Sequence, residues 1–204
     1  MSVLSKYLLA MFISYFIGNI APSYFIGKAL KNIDIRDHGS GNAGATNAFR
    51  VLGAAAGVIV FICDTLKSVL AVHVGLWLTG TQLGGMLAGA MAVIGHNWPV
   101  VLNFKGGKGI ASSFGLVLTL FPTIGLILLA VGIIVILITR YVSMGSISAI
   151  ILCPILLIIF GQPLEICLIA VILAAIAILR HKDNIIRLKQ GTENRFSFRM
   201  KAGK

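Results

Sequence analysis

The sequence predicts an all-α polytopic membrane protein with seven transmembrane helices, the N-terminus outside and the C-terminus in the cytoplasm. Apolar residues make up 58% of the 204 residues and charged residues only 11%, against roughly 45–50% and about 25% in soluble domains. The apolar residues form runs long enough to cross a bilayer. The positive charges collect between alternate runs.

The predicted spans follow from the need for about 20 mainly apolar residues per crossing. The fourth run is the weakest, because its twelve residues cover only about 18 Å as a helix. It must start inside the preceding glycine-rich stretch or fail to cross fully, and Pro122 separates it from the fifth run. The first run continues past Ile20 without a small-residue cleavage site, which favours a retained span over a signal peptide. The seven runs are 4–27, 53–77, 83–101, 110–121, 122–139, 146–160 and 164–179.

The distribution of Lys and Arg predicts the orientation. With seven spans, fifteen of the seventeen basic residues fall on one side, and basic loops stay in the cytoplasm. The length fits one integral membrane domain, 1–204. The basic tail 194–204 contains two phenylalanines and is predicted to lie on anionic lipid headgroups.

The net charge of +11 does not indicate nucleic-acid binding, because the basic residues lie between and after apolar runs without interleaved aromatic residues. Cys63, Cys153 and Cys167 all lie within apolar runs and lack motif spacing. They are predicted to be small buried residues, and no metal or cofactor site is expected.

Three polar segments on the predicted cytoplasmic side carry the candidate chemistry. The first, GSGNAGATNAFR at 39–50, combines glycines that permit a tight turn with donors and a guanidinium that suits phosphate. A helix N-terminus just after it would favour an anion. The spacing of Gly41 and Gly44 also fits close helix packing, so alone this segment leaves both interpretations open. The candidate ligands are Gly39, Ser40, Gly41, Asn42, Thr46, Asn47 and Arg50.

The second segment, GHNWPVVLNFKGGKGIAS at 95–112, places Gly106, Gly107, Lys108 and Gly109 before a helix. It is not a Walker A loop, because Leu102 stands in place of the first glycine and Gly109 in place of Ser or Thr. The segment therefore predicts an anion site without ATP. A flexible basic loop that serves only topology is the alternative.

The third segment, HKDNIIRLKQGTE at 181–193, places His181 and Asn184 on one helix face. Arg187 and Glu193 follow, and Ser143 is a further candidate from the loop after Arg140. A single histidine at a membrane edge is more often a hydrogen-bonded polar residue than a catalyst, so its neighbours carry the functional interpretation.

The sequence leaves open the roles of two other polar features. Asp64 and Lys67 lie three apart inside the second span and therefore on one face. Intramembrane charges are functional by default, yet this pair can also neutralise itself. His96 stands next to the second segment and is a candidate to orient it.

Together the three segments resemble the acyl-phosphate:glycerol-3-phosphate acyltransferase family of bacterial membranes. The family pattern GSGNxGxTNxxR matches 39–50 in full. The GH and FxGGKG pattern matches in the second segment, followed by Ile110, Ala111 and Ser112, where Ser112 replaces the usual Thr. The pattern HxxNIxRLxxGxE matches at His181, Asn184, Ile185, Arg187, Leu188, Gly191 and Glu193.

The resemblance implies an acyltransferase that moves the acyl group of an acyl phosphate to the 1-hydroxyl of sn-glycerol 3-phosphate. The products are lysophosphatidate and phosphate, in the first acylation step of phospholipid synthesis. It also implies seven spans in the bacterial inner membrane with the site on the cytoplasmic face. The expected partners are the two substrates and membrane lipids, without cofactor, acyl-CoA, acyl carrier protein, nucleic acid or obligate protein partner.

The predicted mechanism is direct transfer without an acyl-enzyme, because no cysteine lies in a polar segment and Ser40 has no evident base. None of the four histidines is followed by an Asp five residues on, which excludes a local His-x4-Asp motif. Either His181 or the donor's phosphate oxygen takes the proton. The expected catalytic residues are His181, Lys108, Ser40 and Asn42.

Two other functions compete with this prediction. A transporter of phosphate or a phosphorylated solute fits seven spans and anion turns, but transporters tend to have internal repeats and a midplane site. A structural scaffold for other lipid enzymes does not account for three donor-rich segments.

Overall fold

The computed structural model describes residues 1–195, and all regular structure in that range is helical. Two 3₁₀ turns, Ile35–Asp37 and Val100–Leu102, lie in the connections. Apart from Asn194 and Arg195, the tail predicted to lie on lipid headgroups falls outside the described residues. The α-helices are α1 (Val3–Asn19), α2 (Pro22–Lys31), α3 (Ala45–Leu52), α4 (Ala54–Thr79), α5 (Gln82–Asn97), α6 (Ile110–Leu120), α7 (Pro122–Thr139), α8 (Val142–Ile159), α9 (Leu164–Arg180) and α10 (Lys182–Lys189).

Five helical stretches in the described range are long and apolar enough to cross a membrane. A sixth results if α9 and α10, which meet at 57°, are counted together. The predicted fourth span is α6, which has 11 residues and covers only about 16 Å. The fold is thus an all-helical membrane protein, in which α6 is shorter than a full crossing requires. The five stretches are Val3–Lys31, Ala54–Thr79, Gln82–Leu102, Pro122–Thr139 and Val142–Ile159.

The helices pack closely where small residues face each other. A Cβ atom on Gly18 of α1 would lie 2.2 Å from the carbonyl oxygen of Ala92 in α5. A Cβ on Gly95 would lie equally close, at 2.2 Å, to the Tyr15 carbonyl oxygen. Small residues allow such backbone approach between helices in a lipid environment, so α1 and α5 form one rigid wall of the bundle.

The outer faces of the helices carry large apolar side chains, as a lipid-facing surface requires. Ile138 of α7 and Leu179 of α9 are 77% and 72% exposed, whereas Met86, Leu116 and Leu157 are buried between helices. The bundle therefore has an apolar exterior and a packed apolar core, with the polar segments at one end of its helices.

The connection from the first polar segment to α4 differs from the sequence prediction. The second span was predicted to begin directly after this segment, so that its N-terminus would point at the site. The structure instead has the short helix α3 there, which contains Thr46, Asn47 and Arg50. Gly53 has φ +100°, and this break between α3 and α4 sets Arg50 apart from the span.

Candidate active site

The three polar segments, which are far apart in the sequence, line one cavity of about 280 Å³. The segments enter it from α3 and its preceding loop, from the turn before α6, and from the junction of α9 and α10. Five predicted residues do not line it: Gly39, Gly41, Gly106, Gly107 and Arg187. Those that do are Ser40, Asn42, Thr46, Asn47, Arg50, Lys108, Gly109, Ser143, His181, Asn184 and Glu193.

The loop of the first segment is held by the side chain of Asn47. Its amide oxygen accepts a hydrogen bond from the Ser40 N–H (2.8 Å), and its amide nitrogen donates to the carbonyls of Ile35 and His38 (3.0 Å each). Gly39 packs against this amide, since a Cβ there would lie 2.3 Å from the Asn47 oxygen. Gly39 and Asn47 therefore shape the loop, and the Ser40 N–H is already occupied.

Arg50 supplies a cation to the cavity from the last turn of α3. Burial lowers the pKa of its guanidinium, and the nearby Glu193 partly offsets that effect. A guanidinium stays charged in proteins, and its planar fork matches two phosphate oxygens.

The glycine turn of the second segment is tied to its own chain. The Gly106 N–H donates to the Asn97 carbonyl (3.3 Å) and the Gly107 N–H to the His96 carbonyl (3.0 Å). On its other side, the Arg180 guanidinium donates to the Gly106 and Gly107 carbonyls, with the shortest contact 2.8 Å. These two N–H groups are therefore not free for an anion, and the turn contributes Lys108 to the cavity instead.

Lys108 is the half-buried cation at the centre of the site. Its ammonium group donates a hydrogen bond to Asn184 Oδ1. Burial, helped by the positive charge of Arg187, lowers the pKa of Lys108 to about 8. A cation that is partly stripped of water interacts strongly with an anion that enters the same cavity.

His181 lies at the bend between α9 and α10 and is 3% exposed. Its Nδ1–H donates to the Ala177 carbonyl (2.7 Å), which leaves Nε2 as the acceptor. Burial lowers the pKa of the imidazole to about 4. The ring is therefore neutral near pH 7 and can accept a hydrogen bond from a hydroxyl group.

Glu193 fastens the end of the third segment to the rest of the site. Its carboxylate accepts hydrogen bonds from Asn184 (2.8 Å), Ser143 (3.2 Å) and Arg187 (2.8 Å). Burial opposes ionisation, but the hydrogen bonds from Asn184 and Arg187 outweigh it and lower the pKa. Arg187 thus acts on the cavity through Glu193, and Asn184 is held between Glu193 and Lys108.

Beyond the polar end, the cavity continues as an apolar arm between α6, α7 and α8, which the sequence analysis did not identify. Gly132 of α7 and Gly145 of α8 approach so closely that a Cβ on Gly145 would lie 2.6 Å from the Gly132 carbonyl. The sequence signal for this arm is the presence of these two glycines in helices that are rich in bulky apolar residues. The arm is lined by Phe114, Val117, Leu129, Gly132, Ile133, Ile136, Ala149, Ile150 and Cys153.

The sequence model that describes glycerol-3-phosphate acyltransferases matches residues 8–191. The chain belongs to this family. A glycerol-3-phosphate acyltransferase of Thermoanaerobacter sp. (strain X514) is 50% identical over 187 residues, which cover 92% of this chain and 94% of the relative. The family match includes all three polar segments up to Gly191.

Solved structures of the acyltransferase family support the same conclusion. The fold is similar to that of PlsY (YgiH), an integral membrane glycerol 3-phosphate acyltransferase, in its glycerol 3-phosphate form, with a TM-score of 0.89 and 36% identity. The match covers 94% of this chain and 96% of that one. The lysophosphatidic acid form of PlsY matches with a TM-score of 0.86 at the same identity, covering 94% of this chain and 95% of that one.

Proposed function

We propose that this acyltransferase transfers the fatty acyl group of an acyl phosphate to the 1-hydroxyl of glycerol 3-phosphate, releasing lysophosphatidate and phosphate. Family membership supports acylation of glycerol 3-phosphate. The observation that carries the choice of donor is the shape of the cavity, which joins the half-buried Lys108 and the more exposed Arg50 to an apolar arm. An acyl phosphate has the complementary pattern of a compact anion joined to an alkyl chain.

The proposed topology has seven crossings of the bacterial inner membrane, with the site on the cytoplasmic face. The single integral membrane domain predicted for 1–204 is part of this proposal. The concentration of Lys and Arg in alternate connections supports this orientation. In this arrangement α6, with 11 residues, is the shortest of the crossings.

Both substrates carry a phosphate, and the polar end of the cavity offers two cations. Lys108 and Arg50 neutralise these phosphates, while Ser40, Asn42 and Thr46 provide side-chain donors beside them. Fixed donors and cations that face the developing negative charge lower the barrier without reorganisation.

Glycerol 3-phosphate is held from the other wall by His181 and Asn184. The bare Nε2 of His181 accepts a hydrogen bond from a glycerol hydroxyl, and Asn184 is fixed by Glu193. The 1-hydroxyl oxygen attacks the acyl carbonyl carbon, a new ester bond forms, and the bond from that carbon to the phosphate oxygen breaks.

The proton of the attacking hydroxyl passes to an oxygen of the departing phosphate. A general base works best when its pKa is near the operating pH, and burial lowers the pKa of His181 to about 4, which favours the phosphate oxygen as the proton acceptor. His181 therefore orients the hydroxyl group, and the substrate's phosphate removes the proton.

A comparison of donors tests the proposal. Purified protein in lipid vesicles is given glycerol 3-phosphate with palmitoyl phosphate, or with palmitoyl-CoA, and both lysophosphatidate and free phosphate are measured. We expect equal amounts of both products with palmitoyl phosphate and neither above background with the thioester. Efficient turnover of palmitoyl-CoA would contradict the assigned donor.

The apolar arm is expected to set the preference for acyl-chain length. Gly132→Leu places a side chain in the arm, where the nearest atom to a Cβ is 3.7 Å away. Displacing two methylenes at about 0.8 kcal/mol each lowers kcat/KM for palmitoyl phosphate by about tenfold. Octanoyl phosphate is expected to be much less affected. Ile134→Phe, on the same helix but outside the cavity, is the control, and an equal loss for both chain lengths would contradict this role.

A further inference from the structure

A buried cluster of charged and polar groups, Asp64, Lys67 and His96, has no role in the mechanism above, although Asp64 and His96 also line the cavity. The Lys67 ammonium lies 2.6 Å from Asp64 Oδ1, 2.9 Å from His96 Nδ1 and 2.6 Å from the Ile20 carbonyl. An ammonium has three donors and no acceptor, so these three contacts use all of them. The pair that the sequence left open is therefore part of a linked network that joins α4 to α5 and to Ile20, the residue that follows α1.

This network determines which nitrogen of His96 carries the proton. Because the Lys67 ammonium donates to Nδ1, that nitrogen presents its lone pair and the proton resides on Nε2. The Asp64 carboxylate lies farther from Nδ1, at 3.2 Å. Its Oδ2 has no hydrogen-bond partner among residues 1–195.

The Nε2 edge of His96 lies directly beneath the glycine turn. A Cβ on Gly107 would lie 1.9 Å from His96 Nε2, so no other residue type fits there while the imidazole keeps its place. The His96 carbonyl also accepts the Gly107 N–H (3.0 Å). One residue thus supports the turn through both its ring and its backbone, directly before Lys108.

Stability alone does not account for such a cluster. The side chains of Lys67 and Asp64 are only 4% and 1% exposed. Moving two charges from water into the protein costs free energy, and an apolar pair of similar volume often gives equal or greater stability. Asp64 and Lys67 instead fix the imidazole of His96 beneath a functional turn. Such supporting contacts hold a site residue in its productive geometry.

We propose that Asp64, Lys67 and His96 are positioning residues that fix the glycine turn and thereby place Lys108 in the cavity. The proposal rests on the role assigned to Lys108 above. Asp64 and Lys67 act through His96, and His96 acts through Gly107.

A double-variant cycle tests the proposal. His96→Ala removes the support, and Gly107→Ala drives a methyl group into it; each is expected to lower kcat/KM for glycerol 3-phosphate acylation about tenfold. In the double variant the methyl occupies the space left by the imidazole. We expect it to be about tenfold more active than the product of the two single effects predicts, a coupling of about 1.4 kcal/mol. Strict additivity would overturn the proposal.

Hydrogen exchange of the turn gives a readout independent of activity. We expect the Gly106 and Gly107 amides to exchange about tenfold faster in His96→Ala.

Leu157→Ala is the control for general destabilisation. It removes a buried side chain remote from the turn and is expected to lower the thermal midpoint without changing exchange at Gly106 and Gly107. Unchanged exchange in His96→Ala would overturn the proposal. The two roles can be tested separately. If Lys108 variants stayed active while the Gly106 and Gly107 amides still exchanged faster in His96→Ala, the role assigned to Lys108 would be wrong and the support of the turn by His96 would stand.

Where the single variants fold poorly, the paired variant Asp64→Asn with Lys67→Met keeps the site neutral. We expect it to fold, since no unpaired charge remains buried, and to show the same faster exchange at Gly106 and Gly107. Wild-type exchange in this folded variant would overturn the assignment of Asp64 and Lys67.

Discussion

Lys108→Met is expected to lower kcat/KM of glycerol 3-phosphate acylation by about 10²- to 10³-fold, the range typical for loss of one group that stabilises transition-state charge. Lys108 is half-buried, donates to Asn184 and stands between both substrate phosphates in the proposed mechanism. Methionine keeps an unbranched side chain of nearly the same length and removes the charge together with the hydrogen bond to Asn184.

Lys105→Met is the matched control for this variant. Lys105 belongs to the same turn but is exposed and does not line the cavity, so activity is expected to stay within about twofold of the wild type. A Lys108→Met enzyme with activity close to that of Lys105→Met would exclude Lys108 from the phosphate site.

The same residue predicts an alkaline limit to activity. In the proposed mechanism Lys108 must be charged to bind phosphate, and its pKa is lowered to about 8 by burial. As the pH rises through this value, the free enzyme loses the charge, and kcat/KM is expected to fall with it. In Lys108→Arg the remaining activity should not fall near pH 8, because a guanidinium stays charged. A pH profile shared by both enzymes would assign the limit to another group.

His181→Ala is expected to act mainly on substrate binding. In the proposed mechanism its Nε2 accepts a hydrogen bond from glycerol 3-phosphate, and burial lowers the pKa of the ring to about 4, which favours binding over general-base catalysis. Losing a hydrogen bond in a buried site costs about 1–3 kcal/mol, so KM for glycerol 3-phosphate should rise about tenfold or more. The fall in kcat should remain below the roughly 10²- to 10⁴-fold typical of a lost general base.

His73→Ala is a close control for this substitution. His73 Nδ1 also bonds to the carbonyl four residues earlier, Val69, but its side chain is exposed and does not line the cavity. Its kinetic constants should match those of the wild type. A loss of kcat beyond about 10²-fold in His181→Ala, with KM for glycerol 3-phosphate unchanged, would make His181 the general base.

The sequence was sufficient to find most of the polar residues that line the cavity, because three polar segments between apolar runs are a strong local signal. Lys108, His181 and Arg50 were recognised as candidates from their residue types and their neighbours. The helical class and most span positions followed from hydropathy, which depends on composition along the chain. The short α6 was identified as the weakest span for the same reason.

The features that the sequence did not predict depend on contacts between segments that are far apart in the chain. The N–H groups of Gly106 and Gly107 were expected to face an anion, but the carbonyls of His96 and Asn97 take them. The apolar arm arises from the approach of α7 to α8 at Gly132 and Gly145, which hydropathy does not encode. The partners of Asp64 and Lys67 come from α1 and α5, so their spacing alone left the role of the pair undecided.

The proposed mechanism depends on direct transfer between two substrates bound in one cavity. The decisive measurement is rapid-mixing phosphate release from palmitoyl phosphate, with enzyme concentrations close to that of the substrate, with and without glycerol 3-phosphate. Direct transfer predicts no phosphate burst until glycerol 3-phosphate is added, and then one phosphate for each lysophosphatidate. A burst equal to the enzyme concentration without glycerol 3-phosphate, with the acyl group retained on the protein, would contradict direct transfer.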